Sequence, residues 1–190
     1  MNDLTPTLWK TCRTLANKNR LNCLREVFKK PGLNVTQLAR CLEVPDNHAS
    51  LILRALQSRG LIRPVRHSRW VYYHPIPDPL VRSSGPIMFA MRKVLLREDK
   101  PESAIIHVLT AFTHSRRLAI LAYLKLHKEQ SVDVLSYSLS ISRQALYRHL
   151  RKLEVRGFVR QTAGLYSLIA RNDALGRTLL RLLTTNDNTS

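Results

Sequence analysis

The sequence predicts a mainly α-helical protein with small β-hairpins, in which one compact module is used twice, and three observations carry that prediction. The first is an internal repeat. Shifted by 97 residues, positions 35–63 fall on 132–160 without a gap, and nine of those 29 pairs are identical: Val35/Val132, Leu38/Leu135, Leu42/Leu139, Leu53/Leu150, Arg54/Arg151, Leu56/Leu153, Arg59/Arg156, Gly60/Gly157 and Arg63/Arg160. Upstream, NRLNCL at 19–24 lies over RRLAIL at 116–121. A repeat of this size signals two copies of one unit rather than a single large domain. The second observation is a change of period. In each copy apolar residues recur at helical spacing up to a glycine and alternate after it. The third is charge: 31 Lys and Arg against 13 Asp and Glu leave +18, with +9 in residues 1–85 and +9 in residues 86–190. An excess shared so evenly is unlike a basic tail and suits two units that both face a polyanion, whether DNA, RNA or an anionic membrane surface.

Each copy is expected to open on one amphipathic helix. Leu15, Leu21, Leu24, Val27 and Phe28 form its stripe in the first, and Leu109, Phe112, Leu118, Leu121 and Leu124 in the second. Pro31-Gly32 ends the first of these helices, and KLHKEQ at 125–130 holds the matching place in the second. A short helix follows, with Thr36 and Asp133 as equivalent residue types able to cap its start. Its apolar stripe is Leu38 and Leu42, or Leu135 and Leu139. A tight turn at Glu43-Val44 or Ser140-Ile141 leads into a second helix that runs to Gly60 or Gly157, where glycine can take the left-handed conformation. Two short helices joined in this way make a helix-turn-helix.

Beyond each glycine, LIRPVRHSRWVYYHP at 61–75 reads as a hairpin turning near His67-Ser68, and FVRQTAGLYSLI at 158–169 as a shorter one turning at Ala163-Gly164. Helices followed by such a hairpin compose a winged helix. The fold class is therefore mainly α with small β-hairpin wings: two tandem winged helix-turn-helix domains. The first spans 1–75 and the second, with a C-terminal helix near 173–183, spans 104–190; residues 76–103 are a linker and connecting helix. PIPDPLVRSSGP at 75–86 is a linker or an ordered extended segment, IMFAMRKVLLRE at 87–98 is a helix, and DKPES at 99–103 starts the next. Leu175, Leu179, Leu182 and Leu183 give the terminal helix its stripe. The helices after the two hairpins have no place in a minimal winged helix, so packing against another module is their expected use.

These residues resemble the arsenical-resistance repressor (ArsR) family of winged-helix regulators. In the first copy the resemblance runs through TLANKNRLNCLREV, VTQLARCLEVPDNHASLILRALQSRGLI and SRWVYYHP, and in the second through AFTHSRRLAILAYL and LSYSLSISRQALYRHLRKLEVRGFV. It implies a DNA-binding transcriptional regulator whose flanking helices mediate dimerisation. Two departures stand out. Family members are usually single modules that dimerise, whereas this chain carries two. The Cys-x-Cys metal-sensing pair of many members is replaced here by Asn34-Val35-Thr36, so metal sensing does not carry over.

In a helix-turn-helix the second helix presents its leading and outer residues to the major groove. In the second copy Ala145, Leu146, Leu150 and Leu153 turn inward and leave Ser142, Arg143, Gln144, Tyr147, Arg148 and Arg151 outside. Arginine grips guanine bidentately, Gln pairs with adenine, and Ser and Tyr bond phosphates. Ser142 also suits an N-cap. The first copy offers Asp46, Asn47, His48, Ser50, Leu51 and Arg54; its leading carboxylate is repelled by phosphate, though it can cap the helix or accept from cytosine. Asn47 and His48 can read bases. The first hairpin compensates with Arg63, Arg66, His67 and Arg69 around its turn, placed for phosphate or minor-groove contact, whereas the second has only Arg160 and Gln161. Strand alternation puts Val71 and Tyr73 on one face and Trp70 and Tyr72 on the other. One pair must face the core; stacking on single-stranded nucleic acid is the alternative use of these aromatics.

Other chemistry finds little purchase. No apolar run nears the roughly 18 residues of a membrane span and the N-terminus lacks a signal peptide's apolar core, so a cytoplasmic, nucleoid-associated protein is expected. Cys12, Cys23 and Cys41 are an odd set, all in the first copy, and Cys23 and Cys41 read as small core residues. His107 and His114, seven apart, would share a helix face but have no carboxylate or thiol at ligand spacing, so no metal and no cofactor is expected. No phosphate loop, paired carboxylates or nucleophile motif marks an enzyme. Three functions remain: a sequence-specific double-stranded DNA-binding regulator, an architectural DNA-binding protein of low specificity, and a winged-helix scaffold. The modules can pair within the chain as a pseudo-dimer, or two chains can form a homodimer through 87–98 or 173–183.

Overall fold

A computed structural model describes residues 7–183. The outer ends of the two expected domains, 1–6 and 184–190, lie outside the described residues. The chain opens with α1 (Leu8–Leu15) and α2 (Lys18–Lys29), two helices where one was expected. Asn17 causes the break: it takes extended backbone angles, φ −148° and ψ 128°, and its side chain accepts the N–H of Arg20. A side chain that satisfies a free first-turn N–H favours a new start over a continuous helix. Arg20 then clamps the corner by donating to the Thr14 carbonyl at 3.0 Å.

The helix-turn-helix follows as α3 (Val35–Leu42) and α4 (Asp46–Gln57). The cap of α3 is Asn34, in a reciprocal capping box with Gln37, and not Thr36, which lies inside the first turn. Glu43 takes φ +54° in the turn. Gly60 ends the segment at φ +66°, where an added Cβ would lie 2.8 Å from the Asp78 Cβ, so glycine is demanded by backbone and by space. The hairpin is β1 (Arg63–His67) and β2 (Trp70–His74), antiparallel, its turn at Ser68-Arg69 and so one residue later than expected. Leu33 bridges to Tyr73 and ties the hairpin to the start of α3.

The proline-rich segment is ordered: the Asp78 N–H donates to the Gly60 carbonyl at 2.9 Å, and Ser84 Oγ donates to the Asp78 carbonyl at 2.8 Å. Helix α5 (Ser84–Arg92) begins three residues before the expected 87, because Pro86 falls in its first turn, where a missing N–H costs nothing. It continues through a π-helical turn, Lys93–Arg97.

The second half repeats the order. Helix α6 (Glu102–Leu109) and a 3₁₀ turn (Thr110–Phe112) precede α7 (Ser115–His127), so the expected helix is again broken. Here the cap is His114, 97 residues after Asn17, whose Nδ1 accepts the Arg116 N–H. His107 and His114 therefore stand on different elements and share no face. Strand β3 (Gln130–Ser131) leads into α8 (Val132–Leu139), capped by Ser131 and not Asp133, and then α9 (Arg143–Val155). Ser140 repeats the left-handed turn residue at φ +50° and Gly157 the terminating glycine at φ +68°. Strands β4 (Val159–Thr162) and β5 (Leu165–Leu168) turn at Ala163-Gly164, as expected, and the sheet order is β3-β5-β4. Helix α10 (Ala174–Arg181), capped by Asp173, closes the described chain.

One continuous apolar cluster runs from Leu8 to Leu183. Within it α1 packs on α6 and the 3₁₀ turn, α2 packs on α6, and α10 packs on α5. Arg25 of α2 reinforces the junction with an ion pair to Glu102 and a bond to the Lys100 carbonyl. Cys12 and Cys23 sit in this core, and burial pushes the Cys23 thiol up to about 12. Cys41, expected inside, is exposed: it lies off the buried Leu38–Ala39 face of α3.

Candidate nucleic-acid interface

Helix α9 separates its side chains cleanly. Ala145, Leu146, Leu150 and Leu153 are buried, while Ser142, Arg143, Gln144, Tyr147, Arg148 and Arg151 are exposed. Ser142 Oγ accepts the N–H of Ala145 and sets the helix start. At the leading end Arg143 donates to Asp133 of α8 at 2.7 Å, with both side chains 68% exposed. So exposed a pair contributes only about 0–1 kcal/mol. It orients the guanidinium and is easily surrendered to a stronger acceptor.

Helix α4 places Asp46, Asn47, His48, Leu51 and Arg54 at the surface and leaves Ser50 half-buried. Asp46 and Thr36 occupy the places of Arg143 and Asp133, and Thr36 Oγ1 donates to Asp46 at 2.7 Å. The same clasp thus joins the two helices in both halves, with a cation leading one and an anion the other. Asn47 spends its carbonyl oxygen on the His48 N–H, and Arg54 Nε reaches back to the Ser50 carbonyl. Leu51 stands 60% exposed where α9 has Arg148.

The β1–β2 hairpin exposes Arg63, Arg66, His67 and Arg69. Val71 and Tyr73 face the core, Tyr73 buried, so the aromatic packing expected of this strand falls to Tyr73. Trp70 is 45% exposed, and the Arg69 guanidinium lies 5.4 Å from its ring centre. The β4–β5 hairpin exposes Arg160 and Gln161, with Arg160 Nε 3.5 Å from Ser167 Oγ and a neutral tip.

Sequence reasoning passed over His149. It stands where α4 has Ile52, a core position, and its ring is half-buried 4.7 Å from that of His114. Burial first, then His114, Arg117, Arg116 and Arg148, push it down to about 4, so it is neutral at pH 7. The signal was available: the repeat aligns a histidine with a buried isoleucine. Arg117, also passed over, is buried and donates to the carbonyls of Ala111 and Thr110 and to Thr113 Oγ1. Burial, then the charge of Arg156, pull it below the usual arginine range. Among the described residues no three His, Cys, Asp or Glu side chains gather as metal ligands, and no helix is long and apolar enough to cross a membrane.

Residues 112–162 match the family model of a helix-turn-helix domain. The match starts in the 3₁₀ turn before α7 and ends on the last residue of β4, so it takes in α8, α9 and every exposed side chain of the α9 face. No curated protein matches the chain.

Proposed function

We propose that the protein is a sequence-specific, double-stranded DNA-binding transcriptional regulator, a non-enzymatic repressor of the ArsR-like kind, that carries two winged helix-turn-helix modules in tandem. One observation carries the reading: α9 offers three arginines, a glutamine and a tyrosine from one exposed helix face inside the segment that matches a helix-turn-helix domain. A helix of that composition is suited to lie in the major groove, with Arg143 and Arg148 on guanine edges, Gln144 on adenine, and Ser142, Tyr147 and Arg151 on base or backbone. The β1–β2 hairpin, with Arg63, Arg66, His67 and Arg69, adds sequence-independent phosphate contact. Its action as a repressor rests on the family resemblance, and a place on the nucleoid in the cytoplasm follows from the DNA-binding reading.

The continuous core and the α5–α10 packing favour an intramolecular pseudo-dimer. Two unlike reading helices in one chain call for an asymmetric operator rather than a palindrome. Selection of bound duplexes from random sequence, followed by competition against bulk DNA, tests the proposal. An asymmetric motif preferred by roughly 10³ or more is the expected result. A ratio near one would replace the regulator with an architectural protein. Light scattering with and without the selected duplex should find one chain per site.

A further inference from the structure

Arg20 and Arg59 recur 97 residues later as Arg117 and Arg156, and the two pairs live in opposite circumstances. In the second half both guanidiniums find acceptors within the chain. Arg117 has its three acceptors at 2.7–2.9 Å, and Arg156 Nε donates to Thr110 Oγ1 at 2.7 Å. In the first half Arg20 keeps one such bond, to the Thr14 carbonyl, and Arg59 Nε is buried with no hydrogen-bond partner among the described residues. Two differences between the copies account for this: Ala16 stands in the place of Thr113 and leaves Arg20 without that hydroxyl, and a second change bears on Arg59. The place of Thr110 is taken by Arg13, which removes the acceptor and adds a like charge.

The result is a cleft of about 350 Å³ between α1, the α1–α2 corner and the end of α4, lined by Trp9, Lys10, Arg13, Thr14, Arg20 and Arg59. Four of the six are cationic and none is acidic. The Lys10 ammonium stands 5.5 Å from the Trp9 ring centre. A buried donor without an acceptor is costly, and like charges around one cleft repel. A single tetrahedral oxyanion offsets the repulsion, and the outer N–H groups of guanidinium forks match its oxygens.

We propose that this cleft binds a phosphate group, with Arg13, Arg20 and Arg59 as donors and Trp9 as its wall. The phosphate comes either from a small phosphorylated solute or from the backbone of bound DNA. Arg59 lies beyond the C-terminal end of α4, away from the leading residues that enter a groove, so the site is separate from base reading.

The test uses the full chain and inorganic phosphate at ionic strength held constant with chloride. Phosphate should raise the thermal midpoint saturably and shift Trp9 emission in a Trp70→Phe background. Arg13→Thr restores the second half's internal bond, so it should melt no lower than wild type without phosphate and bind phosphate at least tenfold more weakly. Should it melt low, Lys10→Gln, which removes an exposed charge, carries the same comparison. If DNA is the source, both variants should instead flatten the salt dependence of duplex binding by about one unit. If a solute is the source, that slope should stay unchanged. Equal stabilisation of wild type and variants by phosphate, together with unchanged salt slopes, would overturn the proposal. The phosphate arm stands whether or not the chain prefers a DNA sequence.

Discussion

Helices α4 and α9 hold equivalent places in the repeat and bury equivalent positions, yet they offer the solvent different chemistry. Ala49, Leu53 and Leu56 seat one, and Leu146, Leu150 and Leu153 the other. Outside, Asp46 faces Thr36 where Arg143 faces Asp133, and Leu51 stands where α9 has Arg148. Burial constrains a position by volume and polarity, so the scaffold stays alike. An exposed position is constrained only by what it touches. The contrast teaches that a scaffold can stay alike while its exposed faces diverge, which is what the proposed division, the second helix for base edges and the first hairpin for phosphate, requires.

The sharpest way to break this comparison is at the reading heads. Each bidentate arginine contact provides about 1–3 kcal/mol of discrimination. Arg143→Ala with Arg148→Ala should therefore lower the preference for the selected site by about a hundredfold or more, measured by competition with bulk DNA. Asn47→Ala with His48→Ala should cost about tenfold or less, because Asn47 is already engaged with its own neighbour. Comparable losses would abolish the proposed division of labour. The hairpins come next. Arg66→Ala with Arg69→Ala should weaken all duplexes alike and reduce the salt slope by about two, and Arg160→Ala by less than one, since Arg160 also leans on Ser167.

How much of this was legible beforehand depends on what each feature requires. Gly60 and Gly157 announce themselves because few residues stop a helix cheaply, whereas Glu43-Val44 and Ser140-Ile141 are legible only from their place between two apolar helical stripes. The outward face of α9 was readable because four apolar side chains point the other way. The breaks at Asn17 and His114 were hidden, since the apolar period runs through both corners and the decision rests on one side-chain hydrogen bond apiece. Cys41 was misplaced because α3 is so short that its buried face is only Leu38 and Ala39. The packing of α5 on α10 and the Arg59 Nε left without a partner among the described residues depend on distant parts of the chain, which a local pattern does not encode.

A smaller effect separates the two helices at one core position. His149 has a folded-state value of about 4 against an ordinary 6.5, so between those limits the unfolded chain binds more protons. Stability is fully present above about pH 6.5 and falls as pH drops toward 4. Replacing His149 with Ile, the residue of the first half, should remove that part of the acid loss and raise the urea midpoint at pH 5 more than at pH 8. Ile52→His should introduce the same loss into the first half. An unaltered pH profile in the first variant would show that the histidine ring is solvated.

The smallest difference lies in the caps of α3 and α8. Asn34 both accepts the Gln37 N–H and has its own N–H taken by the Gln37 side chain, whereas Ser131 makes the single bond to the Val134 N–H at 3.3 Å. An N-cap replaced by Ala costs about 1 kcal/mol, or about 2–4 °C in a chain of this size. Asn34→Ala should reach that, because it removes the 2.9 Å bond to the Gln37 N–H while the backbone N–H at position 34 keeps the Gln37 side chain, and Ser131→Ala should fall short of it, because its bond is long. Thr36→Ala, which touches no cap, should lose only the exposed bond to Asp46 and shift the midpoint by about 1 °C or less. A larger loss at Thr36 than at Asn34 would return the cap to the residue that its type and place in the repeat first suggested.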